Sequence, residues 1–143
     1  MIKKLKIERN IIMQKEPKFY IHKDSGLIFE TIAHPEAADI LKICPPLTEL
    51  IPNTSEGAAE KHLPVMEREG SHVTVSVGST FHPMSEEHSI TWIYLLTRAG
   101  CQRIHLKPDG DPTAHFLLQE GDEPVAAYAY CNLHGFWKTD FRM

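Results

Sequence analysis

The sequence predicts an all-β protein whose larger part is a β-sandwich. Three observations carry that prediction. From residue 72 onward the apolar residues recur at every second position, which is the period of a pleated strand. The strand-like runs are short and regularly spaced, with turn residues between them. Almost nothing in the chain reads as helix. A chain of 143 residues, 42% hydrophobic and 24% charged, is large enough for one domain with a small appendage and able to bury a core.

Taken in order, residues 1 to about 16 form a polar leader, in which the weak alternation of Ile2, Leu5 and Ile7 leaves a short edge strand open. Residues 18–22 and 27–32 are β-prone runs joined by Lys23-Asp24-Ser25-Gly26, so they predict a hairpin. Pro35 can open a short helix through Leu41, since proline is tolerated in the first turn, and Cys44-Pro45-Pro46 ends it. This first piece, residues 1–48, has few large apolar side chains and gains from docking on a partner subunit. The second domain, 49–143, starts with a loop-rich link over 49–71 that carries Pro52 to Gly57 and a charged cluster at 60–62. His72–Val77 follows as an alternating strand with its valines on one face. Residues 78–89 are a loop bearing His82 and His88, and Ile90–Thr97 is apolar enough to be a central strand. Arg98-Ala99-Gly100 turns into a strand over 101–106, and 107–112 turns again. Residues 114–119 and 124–130 supply two more strands around Glu120–Glu123.

Bulk properties exclude several function classes. A net charge of −4, with no basic run beyond Lys3-Lys4-Leu5-Lys6, argues against a general nucleic-acid binder. No apolar run approaches the roughly 18 residues that cross a bilayer. The N-terminal lysines lack an apolar signal core, and three cysteines are too few for a disulfide scaffold, so a reducing cytoplasm is expected. Histidine is the outlier: with nine copies it outnumbers glycine at eight, so its settings matter.

The densest setting is Cys131-Asn132-Leu133-His134-Gly135, where a thiol and an imidazole stand three residues apart and glycine permits a tight turn. Upstream lie His62 in Glu60-Lys61-His62-Leu63-Pro64, His82 before Pro83, and His88. Each has an ordinary reading. His62 fits an exposed loop histidine, and Cys131 fits a buried core thiol, the role assigned here to Cys44 and Cys101. His22, His34, His72, His105 and His115 read as structural or exposed, and Trp92 and Trp137 as packing, with Trp137 also placed to shield a site near Cys131. Jointly the five look different, because connecting loops of a sandwich gather at its ends and could bring 62, 82, 88 and 131–134 to one rim. Four imidazoles and a thiolate exceed what a structural zinc accepts and favour a redox metal.

Glu60-Lys61-His62-x-Pro64, His82-Pro83-Met84-x3-His88-x-Ile90-x-Trp92-Ile93 and Cys131-Asn132-x-His134-Gly135-x-Trp137 resemble the iron-site motifs of the superoxide reductases, the desulfoferrodoxin and neelaredoxin family. The resemblance spans residues 60–138. It implies an immunoglobulin-like sandwich holding one mononuclear iron per chain, with His62, His82, His88 and His134 as equatorial ligands, Cys131 as the axial one and the opposite face open. It implies one-electron reduction of superoxide to hydrogen peroxide, with Lys61 offering positive charge to the anion and Glu60 as a resting-state ligand. The electron would come from a rubredoxin-like donor. Residues 1–48 resemble in outline the desulforedoxin-like domain preceding this fold, but His22–Gly26 replaces its Cys-x2-Cys turn and only Cys44 remains nearby, so a tetrathiolate iron is not expected. A homodimer or other homo-oligomer is expected, with no nucleic-acid or membrane partner. Two other readings of the same residues are a structural or storage zinc module and a closed-sphere electron carrier.

Overall fold

The computed structural model describes residues 16–32 and 46–142. The edge strand expected near the N-terminus, the helix expected after Pro35, His34 and Cys44 lie outside the described residues. Those residues fall into two compact units, one within 14–51 and one from Pro52 onward.

In the first unit β1 (Lys18–His22) and β2 (Leu27–Thr31) form the expected hairpin. Gly26 takes φ +73, a left-handed value that glycine adopts without a Cβ clash. A third strand, β3 (Leu47–Glu49), pairs with the other edge of β1, giving the order β2-β1-β3.

The second unit is the sandwich. One sheet has the order β4-β5-β8, from Pro64–Glu69, His72–Val77 and Thr113–Leu117. The other has the order β10-β9-β6-β7, from Gly135–Asp140, Pro124–Cys131, Ile90–Thr97 and Cys101–His105. All neighbours are antiparallel, as an immunoglobulin-like sandwich requires. The strand period decides the core. Val73, Val75 and Val77 face it from one sheet; Ile93, Leu95, Ala127 and Ala129 face it from the other. Each large aliphatic side chain buried there contributes roughly 1.5–3 kcal/mol. The other face of the larger sheet carries an aromatic set in which Trp92 stacks on Tyr130 at 5.8 Å and Tyr128 on Phe136 at 5.3 Å. No helix among the described residues is long and apolar enough to cross a membrane.

Three expectations need correction. The 49–71 link contains β4, an edge strand with mostly exposed side chains, so its burial leaves little alternation to read. Pro64 at its first position is compatible with an edge. Residues 135–140 are a strand that returns along β9 and not merely a departing turn. Cys101 is exposed, not a core thiol, because it opens the edge strand β7 on the face opposite Ile104.

Register places the site. Ile90, the first residue of β6, pairs with Cys131, the last of β9, and Gly135 pairs with Cys131 from β10. Pro64 pairs with Val77 across the other sheet. The 78–89 loop, the 132–134 turn and the chain entering Pro64 therefore leave the strands at one end.

Candidate metal centre

His62 closes a single helical turn, Ala59–His62, that leads directly into β4. Its Nδ1 lies 2.8 Å from the Ala58 carbonyl, and His82 Nδ1 lies 2.6 Å from the Pro83 carbonyl. A carbonyl only accepts, so in both rings Nδ1 carries the proton and Nε2 is left with a lone pair that could bind a metal. His88 Nε2 is buried with no hydrogen-bond partner. His134 contributes Nδ1, 3.2 Å from His62 Nε2 and 3.9 Å from Cys131 Sγ. Cys131 Sγ is also 3.4 Å from His82 Nε2.

The four imidazoles close into a ring. Successive centroids, His62 to His82 to His88 to His134 and back to His62, are 4.7, 4.5, 5.0 and 4.9 Å apart. Every junction is edge-to-face, with interplanar angles from 72° to 84°. The four nitrogens and the sulfur lie within 4.8 Å of one another. Donors on opposite sides of one ion sit roughly 4 to 4.6 Å apart, given bond lengths of about 2.0–2.3 Å. The set therefore fits a single ion, with only tenths of an ångström to close.

Electrostatics hold the imidazoles in the metal-ready state. Burial lowers the pKa of His62 and His88 and draws His82 down to about 4, with the neighbouring imidazoles acting in the same direction. These rings are consequently neutral near neutral pH, the form that ligates. Burial pushes the Cys131 thiol up, against the N–H groups of His134 and Leu133, which lower it. The His134 N–H donates to Sγ at 3.3 Å. A cation bound there would displace the thiol proton, as metal thiolates do.

The surrounding shell holds this arrangement. Trp137 stacks on the His62 ring at 4.8 Å and donates its indole N–H to the His134 carbonyl at 2.9 Å, so one side chain braces two members. Gly57, at φ +151, lies over the His62 ring, and a Cβ there would come within 3.0 Å of its Cε1. A Cβ on Gly78 would meet the Glu60 carbonyl at 2.5 Å. That carbonyl accepts from the Thr80 N–H at 2.9 Å, which ties the histidine loop to the helical turn. These glycines carry no signal in a single sequence, because their role is close approach to residues distant along the chain.

All five residues singled out as ligands are thus brought together. Lys61 and Glu60 are exposed on the turn before His62. After burial, Lys61 is among the charges that lower His62 and His88, and Glu60 opposes it at His62. The remaining described histidines stand apart, with His22 Nδ1 2.6 Å from Ser25 Oγ and His115 Nδ1 3.2 Å from Thr74 Oγ1. Among the described residues no second group of this kind exists.

Comparison with known proteins agrees with this geometry. The family model described as desulfoferrodoxin matches residues 54–140. The chain is similar to the desulfoferrodoxin of Clostridium acetobutylicum, 35% identical over 90% of this chain and 99% of that one. It is also similar to the desulfoferrodoxin of Nitratidesulfovibrio vulgaris, 39% identical over 80% of this chain and 89% of the other. Among solved structures, the superoxide reductase from Treponema pallidum superposes with a TM-score of 0.75 at 37% identity, over 88% of this chain and all of that one. With matches of this extent, the chain belongs to the desulfoferrodoxin family.

Proposed function

We propose that the protein is a superoxide reductase: superoxide, one external electron and two protons give hydrogen peroxide at a single iron held by His62, His82, His88, His134 and Cys131. The observation that carries this is the closed ring of four imidazoles against a buried thiol, with an unpartnered nitrogen on His88. When bound, iron would supply the electron and a place for the anion to bind. The chain does the rest. The Cys131 thiolate donates electron density, and the His134 N–H on the sulfur tempers that donation. Lys61 draws the anion in on a protein whose net charge of −4 opposes it, and places a proton-delivering water. Glu60 would serve as a further ligand in the resting form. A structural or storage zinc module is less suited, since five converging donors exceed tetrahedral zinc.

The electron in this reading comes from outside the chain, since the described residues hold one such group, and the family resemblance implies a rubredoxin-like donor. The division into domains 1–48 and 49–143, a metal-free desulforedoxin-like character for the first, a homodimer and a cytoplasmic location complete the proposal. The test is anaerobic addition of superoxide to the reduced, iron-loaded protein. Stoichiometric oxidation of the iron with peroxide formed and no dioxygen released is the expected result. Catalytic dioxygen release without a reductant would instead identify a dismutase, and a colourless zinc protein would overturn the assignment.

A further inference from the structure

Of the five members of the metal group, His82 and His88 lie in the 78–89 loop, whereas His62 rides a helical turn, Cys131 ends β9 and His134 precedes β10. The Pro83 carbonyl fixes the His82 ring through Nδ1, which leaves His88 as the less supported of the two. No carbonyl fixes its Nε2, which is buried and unpartnered. A local turn holds its main chain, with Ser85 Oγ accepting the His88 N–H at 3.1 Å. That turn still has to be placed against the rest of the site.

One side chain does this. Asn132 Oδ1 accepts from the Ser89 N–H at 3.0 Å, and its Nδ2 donates to the Glu87 carbonyl at 2.9 Å. Its backbone N–H also donates to the Ser89 carbonyl at 3.2 Å. The carboxamide thus grips the residues immediately before and after His88, carrying its donor and its acceptor on two separate atoms that reach both flanks at once. Asn132 is bonded covalently to Cys131, so the segment bearing the sulfur also sets the register of the loop bearing the imidazole.

We infer that Asn132 is a positioning residue that aims His88 at the metal by clamping both flanks of its loop, without touching the ion itself. This rests on the metal-centre reading but not on superoxide chemistry, so its test reads cobalt(II) binding by the metal-free full chain. Asn132→Ala is expected to weaken cobalt(II) binding about tenfold, within the range for groups that orient ligands, and to shift the visible absorption of the bound cobalt. Because the effect runs through His88, adding Asn132→Ala to His88→Ala should cause no further loss. Where the alanine variant folds poorly, Asn132→Ser, which keeps one hydrogen-bonding group in the turn, gives the same comparison. Unchanged affinity and absorption in the single variant would overturn the inference, as would a tenfold loss that persists on the His88→Ala background. Failure of the unsubstituted chain to bind cobalt(II) would overturn the metal-centre reading with it, which separates the two.

Discussion

At the end of the sandwich formed by Gly70-Ser71, Arg98–Gly100 and Gln119–Glu123, the turns close on one another. The Arg98 N–H donates to the Glu123 carbonyl at 2.9 Å, and Asp122 Oδ1 accepts from the N–H groups of Ala99 and Glu123 at 3.0 and 2.8 Å. Arg68 pairs with the Glu123 carboxylate. The end carrying the metal group, built from the 78–89 loop, the 132–134 turn and the chain entering Pro64, does the reverse. It buries neutral imidazoles, raises a thiol pKa and leaves His88 Nε2 without a protein partner. An unpartnered buried polar atom costs about 1–3 kcal/mol. The difference teaches that the first end is finished by its own donors and acceptors, whereas the second converges its donors on a point where a cation offsets the cost.

Substitutions should separate the two ends. Cys131→Ser is expected to act most strongly, abolishing the sulfur-to-iron absorption band and weakening metal binding by more than about 100-fold, beyond the loss typical of groups outside the ligand set. A retained band in the visible spectrum would clear the cysteine of ligation. Gly57→Ala forces a Cβ against the His62 ring at a φ unsuited to alanine, so metal affinity should fall about tenfold by competition with a chelator. Lys61→Ala should leave metal binding intact, slow the reaction with superoxide about fivefold and flatten its ionic-strength dependence. Unchanged rates in pulse radiolysis would remove Lys61 from the mechanism.

The smallest effect belongs to the other end. Asp122→Ala should leave metal binding untouched and lower stability by about 1–2 kcal/mol in urea titrations at neutral pH. Burial raises the Asp122 pKa, but hydrogen bonds from Thr97 and the N–H groups of Ala99, Glu123 and Arg98 outweigh it, leaving the carboxyl below its ordinary value of 3.8. A depressed carboxyl stabilises the fold above that value, and the contribution fades as pH falls through the lower folded value. Parent and variant should therefore converge in acid.

How much of this was legible follows from what each residue depends on. β5 and β6 were read at their observed bounds because His72–Val77 alternates and Ile90–Thr97 is almost wholly apolar, signals written in neighbouring residues. β4 was missed because an exposed edge strand need not alternate, and Cys101 was misplaced because alternation gives two faces without naming the inner one. The five members of the metal group were legible as motifs. Their supporting shell was not, since Gly57, Gly78 and the Asn132 clamp matter only through partners brought close by the fold.

The central claim is that one ion sits among four imidazoles and one sulfur. X-ray absorption at the iron edge of the loaded, reduced protein measures that set directly. The account predicts four nitrogen scatterers and one sulfur, with the sulfur shell missing in Cys131→Ser. A first shell without sulfur in the unsubstituted protein, or one with two sulfurs, would contradict it.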